Sequence, residues 1–129
     1  MPTVKRIHQY WLGEQRDFAF RYFNQCDIGE PSCYCCGLWD YTATHGKEFT
    51  SFYERCHIVD HQLGGTETVD NLILLCRTCH WQMPRIAPGT PLEAVGGWIQ
   101  AQRHMWNAQK RIRAHLVQHD LDDVNKDAA

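Results

Sequence analysis

Seven cysteines and eight histidines supply most of the reactive chemistry in this 129-residue chain. Four of the cysteines form two matched pairs, Cys33-x-x-Cys36 and Cys76-x-x-Cys79, with 39 residues between them. Each pair makes a tight knuckle that offers two sulfurs, and two knuckles together close a tetrahedral Zn²⁺ site. An odd cysteine count leaves a disulfide framework with one thiol over. The opening MPTVKRIHQYWLGEQ has charge but no apolar core of a secretory signal, which places the protein in the cytoplasm, where thiols stay reduced. Structural zinc is therefore the expected use of the four. Cys35 competes with Cys36, but Gly37 favours Cys36 by freeing the backbone N–H groups that bond to knuckle sulfurs. Cys26 and Cys35 read as ordinary or weakly reactive thiols, and a lone redox Cys-x-x-Cys would not require the second pair.

The second concentration of chemistry is ERCHIVDHQLGGTETVDNLILLCRTCH, residues 54–80. It holds His57, Asp60, His61, Asn71 and His80. Imidazole exchanges protons near neutrality and also binds metals, so this segment suits acid–base or metal-assisted work. The succession His57-Ile58-Val59, Gly64-Gly65, Asn71-Leu72 and Leu75-Cys76-x-x-Cys79-His80 resembles the HNH endonuclease motif. The resemblance spans Cys33 to His80 and does not extend to residues 1–30 or 84–129.

That resemblance implies an α+β fold: a small ββα-metal core with a structural four-cysteine zinc site, flanked by N-terminal and C-terminal helices. It implies that His57 is the general base that takes a proton from the attacking water. It places Asn71 opposite, holding the ring or the hairpin backbone by hydrogen bonds. His80 would bind a divalent metal (Mg²⁺, Mn²⁺, Ni²⁺ or Zn²⁺) that contacts the scissile phosphate of DNA and stabilises the leaving 3′ oxygen. The family places its base seven residues before the first glycine of the turn; His57 stands at that distance from Gly64, and His61 lies four residues too late. His61 therefore reads as a surface histidine, and Asp60 stands where the family often has proline.

One position departs from the pattern. The residue before the base is usually Asp or His, a ligand of the catalytic metal, and here it is Cys56. A thiol suits Zn²⁺ or Ni²⁺ better than hard Mg²⁺. Three outcomes stay open: His80 holds the metal with water and substrate, Cys56 joins it in a softer site, or no metal binds.

The elements that must position these residues follow from periodicity and turn chemistry. Val4, Ile7 and Trp11, then Ala19, Tyr22, Phe23 and Cys26, have helical spacing interrupted at Gly13. Residues 27–32 read as a loop. Residues 49–59 read as a strand entering a turn at Gly64-Gly65, and Asn71–Leu75 as the returning strand. Phe49, Phe52 and Tyr53 belong to the core on this reading. A helix is expected from near Arg77, and residues 83–89 read as a loop. Thr90 is expected to cap a second helix through a capping box with Glu93, with Pro91 in its first turn. Its apolar face, Leu92, Val95, Ile99, Met105 or Trp106, Ile112 and Leu116, predicts a helix to about residue 118, with a kink or close contact at Gly96-Gly97. The chain thus reads as a single domain: a helical extension over 1–30, the core over 31–83, a helix over 90–118 and a frayed acidic tail over 119–129.

The formal net charge of −2 hides segregation. Residues 31–76 carry two basic and six acidic groups, whereas residues 77–115 carry Arg77, Arg85, Arg103, Lys110, Arg111 and Arg113 against Glu93 alone. Such a segment either follows a phosphate backbone or is a solvated helix face. Trp81 next to His80, and Arg77 and Arg85 around it, are better placed to touch a backbone phosphate. No apolar run reaches the length of about 18 residues that would mark a membrane span. The leading expectation is an intracellular, metal-dependent DNA endonuclease of bacterial, phage or mobile-element origin. The alternatives are a non-catalytic zinc module that binds DNA or protein, and a subunit that cuts only with a protein partner. The sequence leaves oligomeric state open.

Overall fold

A computed structural model describes residues 1–24, 31–38 and 53–128, with the backbone alone beyond residue 116. Cys26, Phe49 and Phe52, and the first residues of the expected strand, lie outside the described residues. The order is α1 (Val4–Gly13), α2 (Arg16–Tyr22), β1 (Glu54–His57), two 3-10 turns (His61–Leu63 and Val69–Asn71), β2 (Leu72–Leu75), α3 (Arg77–Gln82) and α4 (Leu92–Ala128).

β1 and β2 pair antiparallel, with Glu54 opposite Leu75, Arg55 opposite Leu74, Cys56 opposite Ile73 and His57 opposite Leu72. A lone two-stranded hairpin is barely stable in water. Here β2 is wholly buried at all four positions, which explains why its sequence is an unbroken apolar run without alternation. Its outer edge is also closed. The indole Nε1 of Trp11 donates to the Leu72 carbonyl at 2.7 Å, and the Tyr34 amide donates to the Leu74 carbonyl at 3.0 Å. Two carbonyls that would otherwise be stranded in the core are thereby satisfied.

α1 supplies that cover. Thr3 caps it by accepting from the Arg6 amide at 3.2 Å, and Val4, Ile7, His8 and Trp11 form its buried stripe. The His8 Nδ1 meets the Tyr34 hydroxyl at 2.8 Å. Phe23 stacks on Tyr34 with ring centroids 4.3 Å apart and meets Trp11 edge-on at 5.2 Å. Tyr53 is buried and its hydroxyl donates to the Pro31 carbonyl. Residues 1–24 are thus part of the same core as the hairpin.

α4 differs from expectation at both ends. The Thr90 hydroxyl donates to the Ala87 carbonyl at 2.7 Å, the helix begins at Leu92, and Pro91 precedes it. At the other end the helix runs on to Ala128. No glycine or proline follows Gly97 to stop it. Its apolar face is seated only near the start: Val95 and Ile99 are buried, while Ile112 and Leu116 are each 60% exposed. At about 1.5 Å per residue, the seven-residue α2 covers a small fraction of the 37-residue α4. Gly96 is the close contact between them, since a Cβ there would lie 2.5 Å from Cγ of Tyr22. Among the described residues no helix is long and apolar enough to cross a membrane.

Candidate active site

The four paired cysteines converge. Their Sγ atoms all lie within 4.8 Å of one another, and Cys36 and Cys76 are 3.8 Å apart. A tetrahedron with Zn–S bonds of about 2.3 Å has edges of about 3.8 Å, so the donor set fits zinc. The knuckle geometry chooses Cys36 over Cys35. Gly37 takes φ +77°, its amide bonds to the Cys33 carbonyl at 2.9 Å, and the Leu38 amide then donates to the Cys36 sulfur at 3.4 Å. Cys35 is buried outside the cluster. Hydrogen bonds among the sulfurs share out the protons: that from Cys33 lowers the Cys36 thiol to about 7 and that from Cys33 also pulls Cys76 down, while Cys33 and Cys79 are pushed up.

α3 starts from the second knuckle, with Cys76 as its N-cap, and the His80 amide bonds to the Cys76 carbonyl at 2.9 Å. This places His80 on the wall of a cleft of about 480 Å³, opposite β1. His57 lines the same cleft from the end of β1. Its Nε2 is sealed from solvent with no hydrogen-bond partner among the described residues, and faces Glu67 Oε1 at 3.8 Å. That distance is beyond a hydrogen bond but within reach of charge attraction.

Asn71 ties the turn that follows His57. Its Oδ1 accepts from the Val59 amide at 2.9 Å, and its Nδ2 donates to the carbonyls of Val59 at 3.1 Å and Thr66 at 2.8 Å. It holds the hairpin backbone, the second of the two tasks the resemblance offered. Gly64 at φ +92° turns the chain, and a Cβ on Gly65 would lie 1.8 Å from the Val59 carbonyl oxygen. The glycine pair and the asparagine therefore serve one tight loop.

Cys56 lies in the wall of the same cleft. It is 2% exposed, and its thiol contacts Met83 Sδ at 3.1 Å and the His57 carbonyl at 3.5 Å. Burial, reinforced by Cys35, Glu54 and Asp60, pushes it up to about 12. The cleft also offers His80 and Glu54, whose Oε1 lies 2.8 Å from His80 Nδ1. Glu54 and Glu67 had no place in the sequence reading. Strand alternation could have found Glu54, two residues before Cys56 and on the same face; Glu67 carries no such signal.

The basic residues separate into three groups. Arg77 and Arg85 line the cleft, Arg85 also reaching Gln62 Oε1 at 3.4 Å, and Trp81 stands beside them 84% exposed. Arg103 is spent on structure: its guanidinium donates to the carbonyls of Cys35 and Tyr22 and ties α4 to the first knuckle. Lys110, Arg111 and Arg113 are exposed on α4 and do not line the cleft.

Residues 46–83 match the family model described as HNH endonuclease. The match includes His57, the glycine pair, Asn71, the second knuckle and His80, and leaves Cys33 and Cys36 to be joined by geometry. No curated protein and no solved structure matches the chain. This segment is therefore HNH-like, on a small α+β core with a four-cysteine metal site.

Proposed function

We propose that the chain is a metal-dependent endonuclease that hydrolyses phosphodiester bonds in DNA, with His57 as general base, working inside a bacterial cell, a phage-infected cell or the host of a mobile element. The observation that carries this reading is that His57 and His80 line one cleft from facing elements, with Arg77 and Arg85 beside them. With Nε2 of His57 sealed toward Glu67, Nδ1 is the ring nitrogen left to take a proton from a water in the cleft. Arg77 and Arg85 bring positive charge to the phosphate. The divalent ion would be held by His80 and would supply stabilisation of charge on the leaving 3′ oxygen.

Purified protein is expected to relax or linearise supercoiled plasmid with an added divalent metal. Loss of a general base typically costs a factor of about 10²–10⁴, so His57→Ala should abolish cutting in this assay while zinc content stays the same. Folded, zinc-loaded protein that leaves DNA intact with Mg²⁺, Mn²⁺, Ni²⁺ and Co²⁺ would refute the proposal.

A second reading rests on Cys56, which occupies a ligand position as a buried neutral thiol. It makes the chain a zinc module that binds DNA or a protein without cutting. DNA binding that weakens with salt, is indifferent to His57→Ala and never leads to cleavage would favour it.

A further inference from the structure

We infer that Glu54 is a positioning residue: it fixes the ring of His80 and adds negative charge beside the metal centre. The metal-centre part rests on the proposed nuclease reading. The placement of the pair rests on geometry alone.

The argument begins with the pleat of β1. Alternate residues of a strand share a face, so Glu54 and Cys56 point together toward α3. They end up at different depths. Cys56 is 2% exposed and packs against Met83, whereas the Glu54 side chain is 39% exposed and the His80 side chain 40% exposed at the cleft. An acid at the Cys56 position would be a direct ligand in the family; in this chain the nearest carboxylate on that strand face is one pleat along.

The contact itself sets the tautomer of His80. A carboxylate accepts hydrogen bonds and donates none. At 2.8 Å from Oε1, Nδ1 must carry the proton. Nε2 then keeps its lone pair, and that is the nitrogen able to bind a cation. Metal-binding histidines are commonly held this way by a carboxylate on the other nitrogen, which raises their basicity, and losing the partner costs about 10–100-fold in metal affinity. A bare surface ion pair would be worth little. This pair gains its importance from its position in the wall of the cleft, opposite His57.

The test uses the full zinc-loaded chain and Mn²⁺ as probe, with free ion followed by electron paramagnetic resonance. His80→Ala should abolish tight Mn²⁺ binding. Glu54→Ala should raise the Kd about 10–100-fold. Glu54→Gln, which keeps an acceptor but loses the charge, should fall between wild type and Glu54→Ala. Zinc content and Tm, measured alongside, should stay at wild-type values. Nitrogen NMR of the wild-type imidazoles gives a second readout independent of any variant: His80 should carry its proton on Nδ1. A proton on Nε2, or a Glu54→Ala protein that binds Mn²⁺ as wild type does, overturns the inference. Protein whose Mn²⁺ binding depends on Glu54 but which leaves plasmid intact supports it and refutes the nuclease reading alone. Protein that cuts DNA with Glu54→Ala at wild-type affinity does the reverse.

Discussion

Asn71→Ala probes the turn that follows His57. The side chain closes three hydrogen bonds, at 2.9, 3.1 and 2.8 Å, and all go to backbone atoms of Val59 and Thr66. The residue is 9% exposed, and its own carbonyl also accepts from the Ile58 amide at 2.8 Å. A net contribution of about 1 kcal/mol per hydrogen bond sums to about 3 kcal/mol, and the groups left without partners can add to it. Water reaching the part-buried groups works the other way, so the expected loss is about 2–4 kcal/mol. Urea unfolding at saturating zinc measures it. Amide exchange reads it at one atom, because the Val59 N–H loses its acceptor and should exchange faster than its neighbours in β1. Asn71→Asp sharpens the test: it keeps an acceptor for that amide yet turns a carboxylate on two carbonyl oxygens, so it should rescue little stability near neutral pH. A loss below about 0.5 kcal/mol for Asn71→Ala, or unchanged exchange at Val59, would refute the account of the loop.

Three further outcomes are expected. Gly96→Ala places a Cβ 2.5 Å from the Tyr22 ring and should cost about 1–3 kcal/mol by overpacking, whereas Gly97→Ala meets nothing within 4 Å and should stabilise α4 by up to about 1 kcal/mol; thermal unfolding of the two variants checks the pair. Chelation should release zinc and abolish the cooperative unfolding transition, since ion binding by four cysteines amounts to about 10–16 kcal/mol of apparent folding free energy in small zinc domains; released zinc is read with a colorimetric chelator and structure by circular dichroism. Burial raises Cys56 from 9.0 to about 12, so its neutral form stabilises the fold fully below pH 9 and that contribution declines as pH climbs toward 12. The difference in urea midpoint between wild type and Cys56→Ala should therefore shrink from pH 8 to pH 10.5, and a constant difference would contradict the assignment.

The parts legible in the sequence are those where local chemistry dictates position. Two Cys-x-x-Cys pairs predict a shared metal site because a knuckle is made within a few residues, and the sulfurs do meet. The Gly64-Gly65 turn and the apolar run of β2 predict a hairpin for the same reason. Counting back from the turn separates His57 from His61, and the structure puts His57 in the cleft and His61 in an exposed 3-10 turn. What stayed hidden depends on partners remote in sequence. Arg103 reads as one more cation on a basic helix face until the carbonyls of Cys35 and Tyr22 are brought to it. Glu54 is an ordinary strand residue until α3 delivers His80. The packed part of α4 ends well before its last turn, with Ile112 and Leu116 exposed, which no pattern within α4 records.

The site is assembled from pieces too short to hold it alone. β1 and β2 have four residues each and α3 has six, lengths at which neither hairpin nor helix persists in water. The four sulfurs bridge that deficit. Cys76 directly follows β2 and caps α3, Cys79 lies inside α3, and His80 is the next residue. An ion gripping both cysteines therefore fixes the angle between strand and helix, and with it the reach from His80 to Glu54 on the paired strand. Trp11 and Tyr34 secure the other edge of β2, so the register that sets His57 opposite Leu72 is held from both sides. An ion held by the four sulfurs would bear on His80 through position. Substituting Cys33, remote in sequence from the cleft, should loosen the alignment of His80 as surely as substituting Cys79 beside it.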